Sequence, residues 1–214
     1  MQRLIDGYQK FRQEVYPEKR EHYSSLASGQ NPEFLLITCS DSRVQPLEFT
    51  GTEAGDFFVE RCLGNVIPEY GQADTETASI IEYAVMALKV RHILVVGHSQ
   101  CGAMKGLLDP KSLEGMPMVA AWLENARATL DHVREHHADL TGEALLDATV
   151  RANIVIMLDR VRNMPCVERA LQAGGIDVHG WLFDIEHGRV LEYDPEAKSF
   201  VELHPTGGEP VVDS

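Results

Sequence analysis

Three short apolar runs constrain the fold of this 214-residue chain more than any other feature. They occupy residues 34–37, 57–59 and 92–96, and their apolar residues are continuous rather than alternating. Such runs are typical of strands buried on both faces, as in parallel sheets covered by helices. Segments with helical spacing separate the runs, for example Ile80, Ile81, Ala84, Val85 and Leu88. The pattern predicts an α/β fold with a mainly parallel central β-sheet flanked by helices.

The N-terminal segment has helical periodicity. Its first apolar stripe predicts an amphipathic helix that ends at Pro17, because proline lacks an amide hydrogen. A second short helix passes through Tyr23 and Leu26 and ends at Gly29. We therefore expect residues 1–30 to form an N-terminal helical arm. The residues of the first stripe are Leu4, Tyr8, Phe11 and Val15.

The C-terminal segment has the pattern of a hairpin. Residues 178–193 alternate loosely around residues 186–189, which carry a turn signal. We expect a single domain over residues 1–204 that includes this hairpin. Residues 205–214 contain glycine, proline and acidic residues, which predicts a loose tail.

The charge balance excludes several classes of partner. The chain has 19 Lys and Arg against 33 Asp and Glu, a formal net charge of −14. This balance argues against binding nucleic acid or anionic membranes, which requires clustered basic residues. No apolar run approaches the ~20 residues of a membrane span, and the N-terminus lacks the apolar core of a signal peptide. We therefore expect a cytoplasmic protein whose four cysteines serve as thiols, metal ligands or nucleophiles.

Metal-capable residues follow two of the predicted strands. Cys39-x-Asp41-x-Arg43 follows the first run, and His98-x-x-Cys101 follows the third. Two thiolates and an imidazole favour zinc, because calcium and magnesium prefer oxygen ligands. The alternative is that both cysteines are core thiols and His98 is a hydrogen-bonded core residue. The joint occurrence at two strand ends favours a zinc site, since sites in parallel sheets form at the carboxyl ends of strands.

Asp41 has two possible roles at such a site. It could be a fourth zinc ligand, which would close the site to water. It could instead be held away from the metal by Arg43, whose planar guanidinium grips a carboxylate with two hydrogen bonds. A surface ion pair of little energetic value is the third interpretation.

Both motifs resemble those of a known family, the β-class carbonic anhydrases. The similarity extends from the N-terminal helix to the segment around Trp181, and it is greater to the plant-like and cyanobacterial branch. The two motifs are Cys39-Ser40-Asp41-Ser42-Arg43-Val44-x-Pro46 and Gly97-His98-Ser99-x-Cys101-Gly102-Ala103.

The resemblance implies a zinc enzyme that reversibly hydrates CO₂ to bicarbonate and a proton. It implies one Zn²⁺ per subunit on Cys39, His98 and Cys101, with zinc-bound hydroxide attacking CO₂. It also implies that an Asp41–Arg43 dyad gates the metal and orients its water, with Asp41 as a fourth ligand in a closed state. The subunit would form a homodimer, or a larger assembly such as a tetramer.

The resemblance further implies a substrate pocket that is built partly by the partner subunit. Its residues would be Gln30, Phe58, Leu63, Tyr83 and Gly102. From the sequence pattern alone, Phe58 and Tyr83 would be interpreted as core residues and Gln30 as a loop residue.

The segment Arg61-Cys62-Leu63-Gly64-Asn65 departs from the usual family pattern, which has an amide in place of Cys62 and a small or branched apolar residue in place of Leu63. Leu63 could narrow the pocket, and Cys62 is a buried thiol, an oxidation-sensitive site or an extra ligand. This altered wall motivates a second hypothesis, hydrolysis of carbonyl sulfide or carbon disulfide at the same zinc site. A third is a non-catalytic zinc-stabilised scaffold, for instance within a carbon-fixing compartment.

One further pair of potential ligands lies on a predicted helix. His132 and His136 are four residues apart, a spacing that can bind a metal, but a solvated helix face is the simpler interpretation.

Overall fold

The computed structural model describes residues 1–72 and 75–204. Its centre is a six-stranded sheet in the order β2-β1-β3-β4-β5-β6. The pairs β1–β2, β1–β3 and β3–β4 are parallel, and the pairs β4–β5 and β5–β6 are antiparallel. The mainly parallel α/β fold is therefore confirmed. The strands are β1 (Phe34–Cys39), β2 (Phe57–Cys62), β3 (His92–His98), β4 (Asp177–Asp184), β5 (Arg189–Asp194) and β6 (Ser199–Glu202).

Helices cover the sheet, and three further α-helices form an N-terminal arm before β1. The longest, α9, lies against β3 and β4 and buries nine of its residues. The α-helices are α1 (Gln2–Lys10), α2 (Tyr16–Glu18), α3 (Arg20–Leu26), α4 (Pro46–Thr50), α5 (Glu76–Tyr83), α6 (Gly102–Leu108), α7 (Pro117–Leu123), α8 (Arg127–His136), α9 (Gly142–Arg162) and α10 (Pro165–Gln172). None of the described helices is both long and apolar enough to cross a membrane.

The first helical segment of the arm ends later than the sequence predicts. Helical structure does not end at Pro17 but continues to Glu18, and the chain leaves helical geometry at Lys19. A π-helical turn over Phe11–Val15 precedes the proline. Such a turn changes the hydrogen-bonding pattern of the backbone just before the residue that lacks an amide hydrogen.

The C-terminal hairpin is present, with one additional strand. Its turn covers residues 185–188, one residue earlier than the sequence predicts, and β6 then adds to the edge of β5. The predicted loose tail at residues 205–214 lies outside the described residues.

Two glycines allow α9 to approach the sheet closely. A Cβ atom on Gly97 would lie 2.7 Å from Ile154, and one on Gly180 would lie 2.5 Å from Leu158. Both helix residues belong to the main hydrophobic core. This close packing fixes the end of β3, where His98 is located.

Candidate metal centre and active site

Three potential metal ligands, two sulfur atoms and one nitrogen, meet at the carboxyl ends of β1 and β3. Cys39 ends β1, His98 ends β3, and Cys101 directly precedes α6. One ligand atom from each lies within 4.8 Å of the others. All three side chains are buried, with His98 fully inaccessible. The parallel pairing of β1 with β3 is what brings together residues that are about 60 positions apart in the sequence.

The ring of His98 is oriented for metal binding. Its Nδ1 lies 2.9 Å from the carbonyl oxygen of Ser99, so Nδ1 carries the hydrogen and donates it. Its Nε2 is buried and has no hydrogen-bond partner among the described residues. A buried nitrogen lone pair without a partner is costly, and metal coordination satisfies it. The donor set therefore fits a zinc ion.

The hydrogen bond between the thiols of Cys39 and Cys101 favours deprotonation of one of them. The hydrogen bond from Cys101 lowers the pKa of Cys39 to about 4, against the opposing effect of burial. The same hydrogen bond, together with burial, raises the pKa of Cys101. The pairing therefore favours the thiolate form of Cys39, which suits a cation site.

Arg43 holds Asp41 beside the three ligands. The guanidinium donates from Nε to Oδ1 at 2.9 Å and from Nη2 to Oδ2 at 2.8 Å. The Arg43 amide adds a bond to Oδ1 at 2.9 Å. These hydrogen bonds hold the pKa of Asp41 well below its usual range. Asp41 is therefore an ionised acceptor, and its Oδ2 lies 3.8 Å from Nε2 of His98.

Two residues that stabilise this site, Gln100 and Arg61, were not identified from the sequence. The carbonyl of Gln100, a residue with a positive φ of 57°, accepts a hydrogen bond from Arg43. Arg61 donates to the carbonyls of Cys39 and Val44, and so holds both ends of the loop that carries Asp41. The only sequence signal for these roles is proximity to the motifs, because carbonyl acceptors leave no trace in residue type.

The proposed pocket residues lie partly at the surface of a single chain. Phe58 and Tyr83 contact each other, with ring centroids 5.8 Å apart, but Tyr83 is 50 % exposed. Gln30 is exposed in the loop before β1, and Gly102 is exposed at the start of α6. Leu63 is 36 % exposed, and its carbonyl accepts a hydrogen bond from Trp122.

Cys62 is a buried thiol, which is the first of the three interpretations considered for it. It is 8 % exposed, and its Sγ donates to the carbonyl of Val66. It stands opposite Cys39 in the β1–β2 register, yet it is not part of the group of three ligands that the described residues form.

Comparison with known proteins decides the family. The family model described as carbonic anhydrase matches residues 34–190, which include all three ligands and the Asp41–Arg43 pair. The chain belongs to the β-carbonic anhydrase family. A carbonic anhydrase of Synechocystis sp. is 44 % identical over 94 % of this chain and 74 % of the relative. One of Pseudomonas aeruginosa is 42 % identical over 98 % of each chain.

Solved β-carbonic anhydrases have the same fold. The structure of the β-carbonic anhydrase CcaA superposes with a TM-score of 0.92 at 43 % identity, over 95 % of this chain and 99 % of that one. A tetrameric β-carbonic anhydrase of Sordaria macrospora superposes with a TM-score of 0.81 at 30 % identity, over 89 % and 95 %. As a carbonic anhydrase, this chain is an enzyme of the lyase class.

Proposed function

We propose that this carbonic anhydrase uses zinc to convert CO₂ and water reversibly to bicarbonate and a proton. The observation that carries the proposal is the buried Cys39–His98–Cys101 group with an ionised Asp41 held at its side. A pair of core thiols alone would not explain a histidine whose buried Nε2 has no hydrogen-bond partner among residues 1–72 and 75–204.

The proposed metal ligands are Cys39, His98 and Cys101. Zinc suits two thiolates and an imidazole, and three protein ligands leave one position open. When bound, zinc supplies the Lewis acidity that lowers the pKa of water enough to make a nucleophile near neutral pH. The Ser99 carbonyl maintains the ring orientation of His98 through Nδ1.

Asp41 and Arg43 are proposed to act as a gate and an orienting pair. While Arg43 engages both carboxylate oxygens, Asp41 is kept from becoming a fourth ligand, which leaves room for water. An ionised carboxylate can only accept hydrogen bonds. Asp41 would therefore accept a hydrogen bond from the attacking water. This hydrogen bond would orient the water so that a lone pair of the water oxygen faces the carbon of CO₂.

The pocket proposed for CO₂ comprises Gln30, Phe58, Leu63, Tyr83 and Gly102. Apolar side chains suit a linear molecule without a net dipole, and a single amide can donate to one of its oxygens. Because Gln30, Leu63, Tyr83 and Gly102 are exposed in one subunit, we propose that a homodimer, or a larger assembly, completes the pocket. We place the enzyme in the cytoplasm, with a carbon-fixing compartment as an alternative location.

Stopped-flow CO₂ hydration at alkaline pH, on protein with quantified zinc, tests the proposal. We expect turnover in proportion to zinc content. Cys39→Ala should lose both zinc and turnover, whereas Cys62→Ala should keep both. The two cysteines are buried neighbours in register, so the pair separates ligation from the loss of a core thiol.

The same experiment distinguishes the alternative functions. A second outcome is a protein that carries full zinc, turns over negligible CO₂ and hydrolyses carbonyl sulfide or carbon disulfide. That result would show that the sulfur compound, rather than CO₂, is the substrate. Full zinc content with no turnover of any of these compounds would support the third hypothesis, a non-catalytic zinc-stabilised scaffold. Zinc retained in Cys39→Ala would refute the ligand set.

A further inference from the structure

A second group of potential metal ligands lies at the opposite end of the sheet. It consists of His92, Asp177 and His179, and one ligand atom of each lies within 4.8 Å of the others. His92 is the first residue of β3, and Asp177 is the first residue of β4. In the β3–β4 register, His92 pairs with Asp177.

Strand geometry brings these three side chains to one face of the sheet, at the end where β3 and β4 begin. His92 lies in the same alternation as the buried Leu94 and Val96, and His179 in the same alternation as Trp181, which packs on them. The Nδ1 of His92 lies 3.8 Å from Oδ2 of Asp177, and the two imidazole rings have centroids 5.5 Å apart.

The ring of His179 is held in place by a carboxylate. Its Nδ1 lies 2.7 Å from Oε1 of Glu192 on β5, a distance that requires a hydrogen bond. If Nδ1 carries the hydrogen, the lone pair is on Nε2. A carboxylate that orients a histidine in this way is the usual outer partner of a metal-ligating imidazole.

The surroundings of the group favour a cation and give it access. A further carboxylate, Glu33, places Oε1 4.0 Å from Nε2 of His92. The side chains of His92, Asp177 and His179 are 27 %, 72 % and 33 % exposed. An ion can therefore reach the group directly from solvent, in contrast to the buried cysteine centre.

We propose that His92, Asp177 and His179 form a second divalent-metal site that binds Zn²⁺. Two imidazoles and one carboxylate are a ligand set that zinc accepts, with water completing the coordination. The bound ion joins β3 to β4 at the end of the sheet where both strands begin. β3 then carries a zinc ligand at each end, His92 and His98, about 20 Å apart for an extended strand of this length.

The test is a calorimetric titration of Zn²⁺ into the protein that already carries its tightly bound zinc. We expect wild-type protein to bind one additional equivalent per chain. His179→Gln should remove that equivalent, and so should Asp177→Asn, which changes a side chain that is 72 % exposed and therefore leaves the core packing intact. Zinc that survives gel filtration should remain unchanged in both variants, because the cysteine centre is intact.

His132→Gln is the matched control, because His132 and His136 are another pair of neighbouring histidines with a metal-binding spacing, and their rings stack in α8 with centroids 4.4 Å apart. We expect it to keep the additional equivalent. No additional equivalent in wild-type protein would overturn the proposal. So would an additional equivalent that persists in His179→Gln and Asp177→Asn, or one that is lost in His132→Gln.

Discussion

At the scale of single residues, Arg43 determines where the Asp41 carboxylate points. Arg43→Ala removes both guanidinium hydrogen bonds and frees Asp41, already 3.8 Å from His98 Nε2, to turn toward the metal ligands. We expect CO₂ hydration to fall roughly 10- to 100-fold with zinc retained, because charge-assisted hydrogen bonds contribute about 1.5–3 kcal/mol. Stopped-flow rates and zinc analysis on the same sample check this expectation.

Two further variants make the Arg43 experiment specific. Arg43→Lys keeps the charge but not the planar fork, so we expect it to restore only part of the rate. Arg127→Ala removes an exposed guanidinium that pairs with Asp131, and we expect it to leave the rate unchanged. A fully active Arg43→Ala across the pH range would show that Arg43 does not gate the site.

At the scale of elements, the contact of α9 with the sheet positions the end of β3. Gly180→Ala would place a methyl group 2.5 Å from Leu158 in this contact, so we expect a destabilisation of about 1–3 kcal/mol. Gly29→Ala is the control, because a Cβ atom there would meet nothing within 4 Å. Urea unfolding of both variants measures the difference, and equal unfolding midpoints would contradict the proposed tight packing.

The β4–β5 hairpin has a charge-dependent turn. Asp184 accepts hydrogen bonds from Arg189 at 3.0 Å and from His187 at 2.8 Å. Burial alone would raise the pKa of Asp184, but these hydrogen bonds outweigh it and lower the pKa. Because the folded pKa lies below the unfolded one, the ionised group stabilises the fold at neutral pH, and this contribution declines as the pH falls through the folded pKa.

Asp184→Asn tests this linkage. We expect the variant to be less stable than wild-type protein by about 1 kcal/mol at pH 7. The difference should shrink below about pH 4, where the unfolded chain begins to take up the proton. Urea unfolding of both proteins at several pH values measures it, and a difference that grows toward acid pH would reverse the assigned sign.

The elements also show how far sequence alone could lead. The continuous apolar runs identified β1, β2 and β3, and the motifs at their ends identified the residues that meet at the metal centre. The strand β6 was not predicted, since four residues at a sheet edge give no periodicity. The group of His92, Asp177 and His179 was also missed, because its members become neighbours only through the register of β3 with β4.

At the scale of the whole molecule, the described part of the chain does not cover the N-terminal arm. None of the residues of α1, of the π-helical turn or of α2 and α3 is buried. Leu4 is 63 % exposed and Tyr8 is 62 % exposed. Lys19 and His22 bind the loop at Glu53 and Ala54, so the end of the arm is anchored while its apolar beginning is exposed. We therefore expect a second subunit to cover this apolar stripe.

The double variant Leu4→Glu with Tyr8→Glu tests this expectation of assembly through the arm. It should shift the protein toward monomers in sedimentation velocity, because two charges would have to be buried against the partner. Arg3→Glu makes the same change in net charge on the same helix, outside the apolar stripe, and we expect it to leave the assembly intact. If the double variant retains the wild-type assembly, the arm is not an interface and the pocket residues must be completed by another surface.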